Sequence, residues 1–182
     1  GRREVIEAEK YLFALGGASW AKTGSTGAWT AYFQALGVRT IPFAASNCGV
    51  ELVMPEALHV HVGKPLKNIR ITAGCRSVRG EATLTEHGLE GNAVYPVVPA
   101  IREALARGEE ATLVIDLKPD LTEAELERRL SGAAWKERMA AVKLDRVQVA
   151  LLKAFTPMHR FIDGSTLITD VKQLRVPVRA LR

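Results

Sequence analysis

An apolar run, Tyr11-Leu12-Phe13-Ala14-Leu15, breaks into Gly16-Gly17 and continues as Ala18-Ser19-Trp20-Ala21-Lys22-Thr23-Gly24-Ser25-Thr26-Gly27 ahead of a helical pattern. A strand, a glycine-rich loop and a helix in that order restrict this part of the chain to an α/β unit. Loop glycines let the backbone approach a ligand closely, and a helix N-terminus offers unpaired N–H groups and the positive end of a dipole to a phosphate. The order therefore raises a nucleotide cofactor as a reading. The spacing is neither the dinucleotide fingerprint G-x-G-x-x-G nor the Gly-Lys-Ser/Thr ending of a P-loop. On the loop alone, a plain strand–turn–helix connection with no ligand is the commoner outcome.

The remaining pattern divides the chain. Residues 4–8 and 10–15 read as strands, and Ala28 to Leu36 as a helix with Gly37 at its C′ position. From Asn47 the text changes to short alternating strands, Gly49 to Val53, Asn68 to Ala73 and Glu81 to Thr85, punctuated by Gly74, Gly80 and Gly88. Ala93 to Ala106 has helical spacing, confined to its later part by Pro96 and Pro99, and Ala111 to Leu117 is one more apolar strand. A small barrel or sandwich accommodates these strands.

Thr122 and Glu125 have capping-box spacing, with Leu121 placed to pack back onto Leu126. Helical patterns follow through Leu130, from Trp135 to Ala141, from Asp145 to Phe155 and from Ser165 to Leu174, enough for a bundle of short helices. Val176 to Leu181 reads as a returning strand in which Pro177 favours an edge position. The fold class expected is α+β.

Composition narrows the function classes. With 182 residues, 47% of them hydrophobic, the chain can bury one sizeable core or two small ones. No apolar stretch approaches the roughly 20 residues of a membrane helix, and no leader ends in a cleavage pattern, so no membrane partner and a cytoplasmic location are expected. Cys48 and Cys75 are too few for a disulfide framework or a zinc site. The net charge is +5, but the basic residues are interleaved with acidic ones. The densest positives, Lys64, Lys67, Arg70, Arg76 and Arg79, have no aromatic neighbours for base stacking, which counts against nucleic acid.

Reactive constellations are scarce. His59 and His61 have the spacing to share one face of a strand as metal ligands, but no third ligand completes a site, and no metal is expected. Ser19, Ser25 and Ser46 lack a nucleophile elbow. Trp20 and Trp29 flank the glycine loop, and for both a core position outweighs a pocket wall.

Five ordered blocks go further: Ala14-Leu15-Gly16-Gly17-Ala18-Ser19-Trp20, Gly24-Ser25-Thr26-Gly27, Asn47-Cys48-Gly49, Gly63-Lys64-Pro65-Leu66-Lys67-Asn68 and the segment from Arg79 to Gly91. The last holds the most specific motif, Gly-Glu-x-x-x-Thr-x-x-Gly-x-x-Gly. In this order the blocks resemble the bacterial aminoacetone-oxidase-like, or NAD(P)/FAD-dependent oxidoreductase, flavoproteins. The resemblance implies a Rossmann-like FAD domain interrupted by a β-barrel insert and a helical insert. This chain, which begins with Gly1, would be a middle fragment of a longer protein. The implied division is 1–43 as part of the FAD domain, 44–118 as barrel, 119–174 as helical insert and 175–182 as a returning strand.

Carried across residue by residue, the resemblance implies that Ala14, Gly16 and Gly17 pass beside the FAD. Leu15 stands where the family usually has Thr. Thr23, Gly24 and Ser25 match the loop before the next helix, and Asn47 the entry to the barrel, where its amide would face the flavin edge. His87, in the Thr85-Glu86-His87-Gly88 turn, is the single catalytic candidate, against the commoner reading of a surface-turn histidine. The implied function is the insert region of an FAD-dependent oxidoreductase, catalytically inert alone. NAD(P)H is a candidate donor, and a small molecule and the rest of the FAD domain are the partners. The competing class is a non-enzymatic module, a basic barrel with a helical bundle that binds RNA or a protein.

Overall fold

A computed structural model of the chain describes residues 4–182. It separates into two compact units, Gly1–Ala44 and Ala45–Arg182.

In the first unit, residues 4–15 make no strand, against the expectation of two. A lone extended segment has nothing to pair its backbone groups with, and among the described residues no neighbouring strand lies beside it. The glycine loop holds a single 3₁₀ turn, Ala21–Thr23, closed by Gly24 at φ 108°. The expected helix is α1, Thr30–Ala35. Gly37, at φ 77°, sits at C′: its N–H reaches Gln34 O and the Val38 N–H reaches Phe33 O, the two bonds of a Schellman stop. Edge-to-face contacts of Phe33 with Phe13 and Trp29, and of Trp29 with Phe43, hold the unit together at centroid distances of 5.1, 5.6 and 6.0 Å.

The second unit is a closed antiparallel barrel covered by helices. Its strands are β1 (Val50–Leu52), β2 (Pro65–Ala73), β3 (Arg76–Leu84), β4 (Gly88–Glu90), β5 (Ala111–Asp116) and β6 (Leu174–Leu181), in the order β1-β4-β3-β2-β5-β6. Alternation decides which face turns in: Ala111, Leu113 and Ile115 of β5 and Leu174, Val176 and Val178 of β6 are buried, with more exposed residues between them. β2 breaks this rhythm. Leu66 and Ile69 both point inward although three residues apart, because the register shifts between them and Asn68 takes φ 51°. This bulge suits asparagine, which tolerates the left-handed region better than most residues. It lets Asn68 bond both Arg79 and Asp120. Those bonds, Asn68 first and Arg79 second, hold the Asp120 carboxyl below its usual range.

Pro177 is not on a sheet edge, since the barrel closes. It lies opposite Thr112 of β5, and on the other flank the β1 ladder starts only at Val178. β4, which was not foreseen as a strand, links β1 to β3 with just three residues.

The helices of this unit are α2 (Glu56–His59), α3 (Val98–Ala106), α4 (Glu123–Leu130), α5 (Arg138–Ala141), α6 (Arg146–Phe155), α7 (Met158–Ile162) and α8 (Gly164–Lys172). Thr122 and Glu125 form the capping box expected for α4. A second box starts α6, where Asp145 Oδ1 accepts from the N–H groups of Val147 and Gln148 at 2.9 and 2.8 Å. Its fourth residue, Gln148, is buried and donates to Leu117 O at 3.2 Å, so the cap also ties α6 to the end of β5. Asp145→Ala should cost about 1 kcal/mol, measured as a lower urea midpoint with unchanged slope. One core runs from the barrel interior, with Ile71, Leu84 and Leu113, into the helices, with Leu126, Leu151 and Leu167.

Candidate cofactor-binding site

The glycine loop of the first unit folds into an open cleft of about 480 Å³. Ala14, Gly16, Gly17, Thr23, Gly24 and Ser25 all line it, so six of the seven cofactor contacts implied by the resemblance come together. Leu15, Ser19 and Trp20 complete the wall. Gly16, at φ 76°, adopts a conformation that L side chains avoid, and a Cβ there would press to 3.0 Å from Ser25 Cβ. The Trp29 indole N–H donates to Gly16 O at 3.1 Å and fixes the loop from the side. Trp20 is 71% exposed and not in a core, contrary to expectation.

This cleft fits part of a dinucleotide passing along backbone and small side chains. It does not fit a pyrophosphate grip. No basic side chain lines it, and α1, six residues long, starts at Thr30, five residues beyond the last wall residue.

Asn47, the seventh contact, is exposed on the loop before β1 and belongs to the second unit. His87 lies there too, in the turn joining β3 and β4. Its backbone carbonyl accepts from Leu52 N at 2.8 Å, and its own N–H reaches Thr85 Oγ1 at 3.4 Å. Cys48, next to Asn47 in the chain, is half-buried, and burial pushes its thiol up from the ordinary range.

The motif from Gly80 to Gly91 forms the β3–β4 corner, and its glycines and Thr85 have steric or hydrogen-bonding reasons. Thr85 Oγ1 accepts from Gly88 N at 3.2 Å, and Thr85 N donates to Gly88 O at 2.8 Å. A Cβ on Gly88 would stand 2.1 Å from Val50 O, and one on Gly80 would stand 2.6 Å from Asn92 Oδ1. Gly91 takes φ 125°. Asn92, which the motif does not include, accepts the Glu81 N–H at 2.8 Å.

His59 ends α2 and His61 follows in a turn, so the two do not share a strand face. Among the described residues no group of three potential ligands gathers for a metal. Among the described residues no helix is long and apolar enough to cross a membrane.

A closed six-stranded barrel fused through one core to short helices makes residues 45–182 an α+β domain. A family model, the HI0933-like protein barrel and H2TH domain, matches residues 44–153, and the chain belongs to that family. The family is associated with FAD-dependent oxidoreductases. No curated protein matches the chain.

Proposed function

We propose that this chain is the insert region of an FAD-dependent oxidoreductase, with residues 1–43 belonging to the FAD domain. The barrel and helices would cover the flavin and shape the pocket of a small-molecule substrate. FAD supplies the hydride or electron chemistry when bound, and the chain's part is to orient and to exclude water. The finer reading is kinship with the aminoacetone-oxidase-like flavoproteins, with NAD(P)H as a candidate donor.

The observation that carries this is the contrast between the two units. Among the described residues, 16 large apolar side chains are exposed and 12 of them lie between Val5 and Phe43, including Leu12 at 95% and Ile41 at 82%. Scattered apolar side chains on a surface are ordinary, but this density in about 40 residues suits a segment that is covered by more protein. Residues 4–15 also read as strands by sequence and have no strand to pair with among the described residues, which suits a sheet completed by the remainder of an FAD domain.

An FAD titration followed by visible absorbance tests it, with this chain beside a version extended at both ends to the natural reading frame. Flavin should bind the extended protein alone, and Gly16→Val should weaken that binding. Flavin bound by neither protein would remove the FAD reading and bring forward a non-enzymatic module that binds RNA or a protein.

A further inference from the structure

A second, larger recess lies in the barrel unit, against α6, and takes no part in the reading above. Its volume is about 620 Å³, within the range of small-molecule sites. One wall is Pro55 and Ala57 at the start of α2, and the other is Leu144 with Val149, Ala150 and Ala154 of α6. The inward face of α6, with Val147, Leu151 and Leu152, is already buried in the core, so α6 presents a second apolar strip along this recess.

Cations punctuate the strip. Arg146 and Lys153 line the recess seven residues apart on α6, roughly 10 Å along the axis at 1.5 Å per residue. His61 lines it from the other side, with Nδ1 3.4 Å from Lys64 Nζ. No carboxylate lines the recess. The nearest acidic residue on α6's own turn, Asp145, spends its carboxylate on the helix cap, and Glu56 sits in the first turn of α2 outside the lining. Neither Arg146 nor Lys153 has an ion-pair partner among the described residues, so both charges are available to a ligand in the recess.

An apolar floor with basic donors along its length and no acid selects a ligand that is aliphatic in the body and anionic at the end. No Phe, Tyr or Trp lines the recess, and its floor between the basic groups is aliphatic. We propose that this recess between α2 and α6 binds a free medium-chain aliphatic carboxylate, its chain along Val149, Ala150 and Ala154 and its carboxylate on Arg146 or Lys153.

The test is a ¹H–¹⁵N NMR titration of the full chain with octanoate, 1-octanol and octyltrimethylammonium, and a flotation assay with phosphatidylglycerol vesicles. Octanoate should give saturating shifts confined to residues 55–61 and 144–154, with the neutral and cationic probes weaker by about tenfold or more. Arg146→Glu combined with Lys153→Glu should weaken octanoate by at least about tenfold. Both positions are exposed, so the circular dichroism of the double variant should match the parent. Absent or scattered octanoate shifts would overturn the site. Equal binding of all three probes would overturn the role of charge. Flotation without octanoate shifts would assign the surface to a membrane instead. None of these outcomes depends on flavin, so failure here leaves the FAD reading standing.

Discussion

Gly88→Ala should lower the stability of the barrel by about 3 kcal/mol or more, beyond the usual cost of an added methyl group in a packed site. The reason is what the methyl would strike. Gly88 pairs with Glu51 across β1 and β4, and its Cβ would sit 2.1 Å from Val50 O and 3.0 Å from Leu52 N. Both are backbone atoms, so no rotamer change relieves the clash and β1 must move. β1 is three residues long and supplies the pairings with β4 and β6 that close the barrel, so its displacement reopens the sheet. Gly63→Ala is the matched control with the opposite demand: φ is 81° but nothing lies within 4 Å, so only the conformational term applies, about 1 kcal/mol. Thermal unfolding by far-ultraviolet circular dichroism should show Gly88→Ala losing roughly 6–12 °C, at 2–4 °C per kcal/mol for a chain of this size. A loss no larger than that of Gly63→Ala would mean β1 is not held where the register places it.

The same corner shows what the sequence could and could not disclose. Glycine at 80, 88 and 91 with Thr85 is visible as a pattern, and the resemblance it carries holds as far as the HI0933-like barrel and H2TH family, while in the structure the pattern works through sterics and hydrogen bonds. His87 stood out because it shares the turn, whereas its contribution in the structure is through backbone groups. Strands with a clean period of two, such as β5, were legible, as were helices whose starts carry a capping box. β4 was not, since three residues carry no period. β2 was seen only from Asn68 onward, because the bulge puts Lys67 and Asn68 outward in succession and breaks the alternation. Residues 4–15 failed for the reverse reason. Their apolar run, Tyr11 to Leu15, favours a strand, but a strand is realised only against a neighbour. The recess on α6 left no motif at all: Arg146, Ala150 and Lys153 read as an ordinary solvated face until Pro55 and Ala57 are seen opposite.

Lys172 was equally anonymous in the sequence, and its replacement by methionine should cost about 3 kcal/mol. Its Nζ pairs with Asp116 Oδ2 at 2.6 Å, both side chains being about 15% exposed or less, and donates to Lys118 O at 2.9 Å and Leu121 O at 2.7 Å. Those groups span the connection from β5 to α4, and Leu117 N donates to Val171 O at 2.9 Å beside them. One ammonium therefore fastens the α4 entry to the corner where α8 becomes β6. Methionine keeps most of the apolar stem but leaves a shielded carboxylate without its cation and two carbonyls without their donor, the costly way to break a pair. The accompanying change Asp116→Asn removes the stranded charge. The double variant Asp116→Asn/Lys172→Met should then be more stable than the sum of the single losses by about 1–2 kcal/mol, within the range for contacting partners. Urea midpoints of the four proteins give that coupling directly. Strict additivity would show that Lys172 holds the corner through the two carbonyls alone.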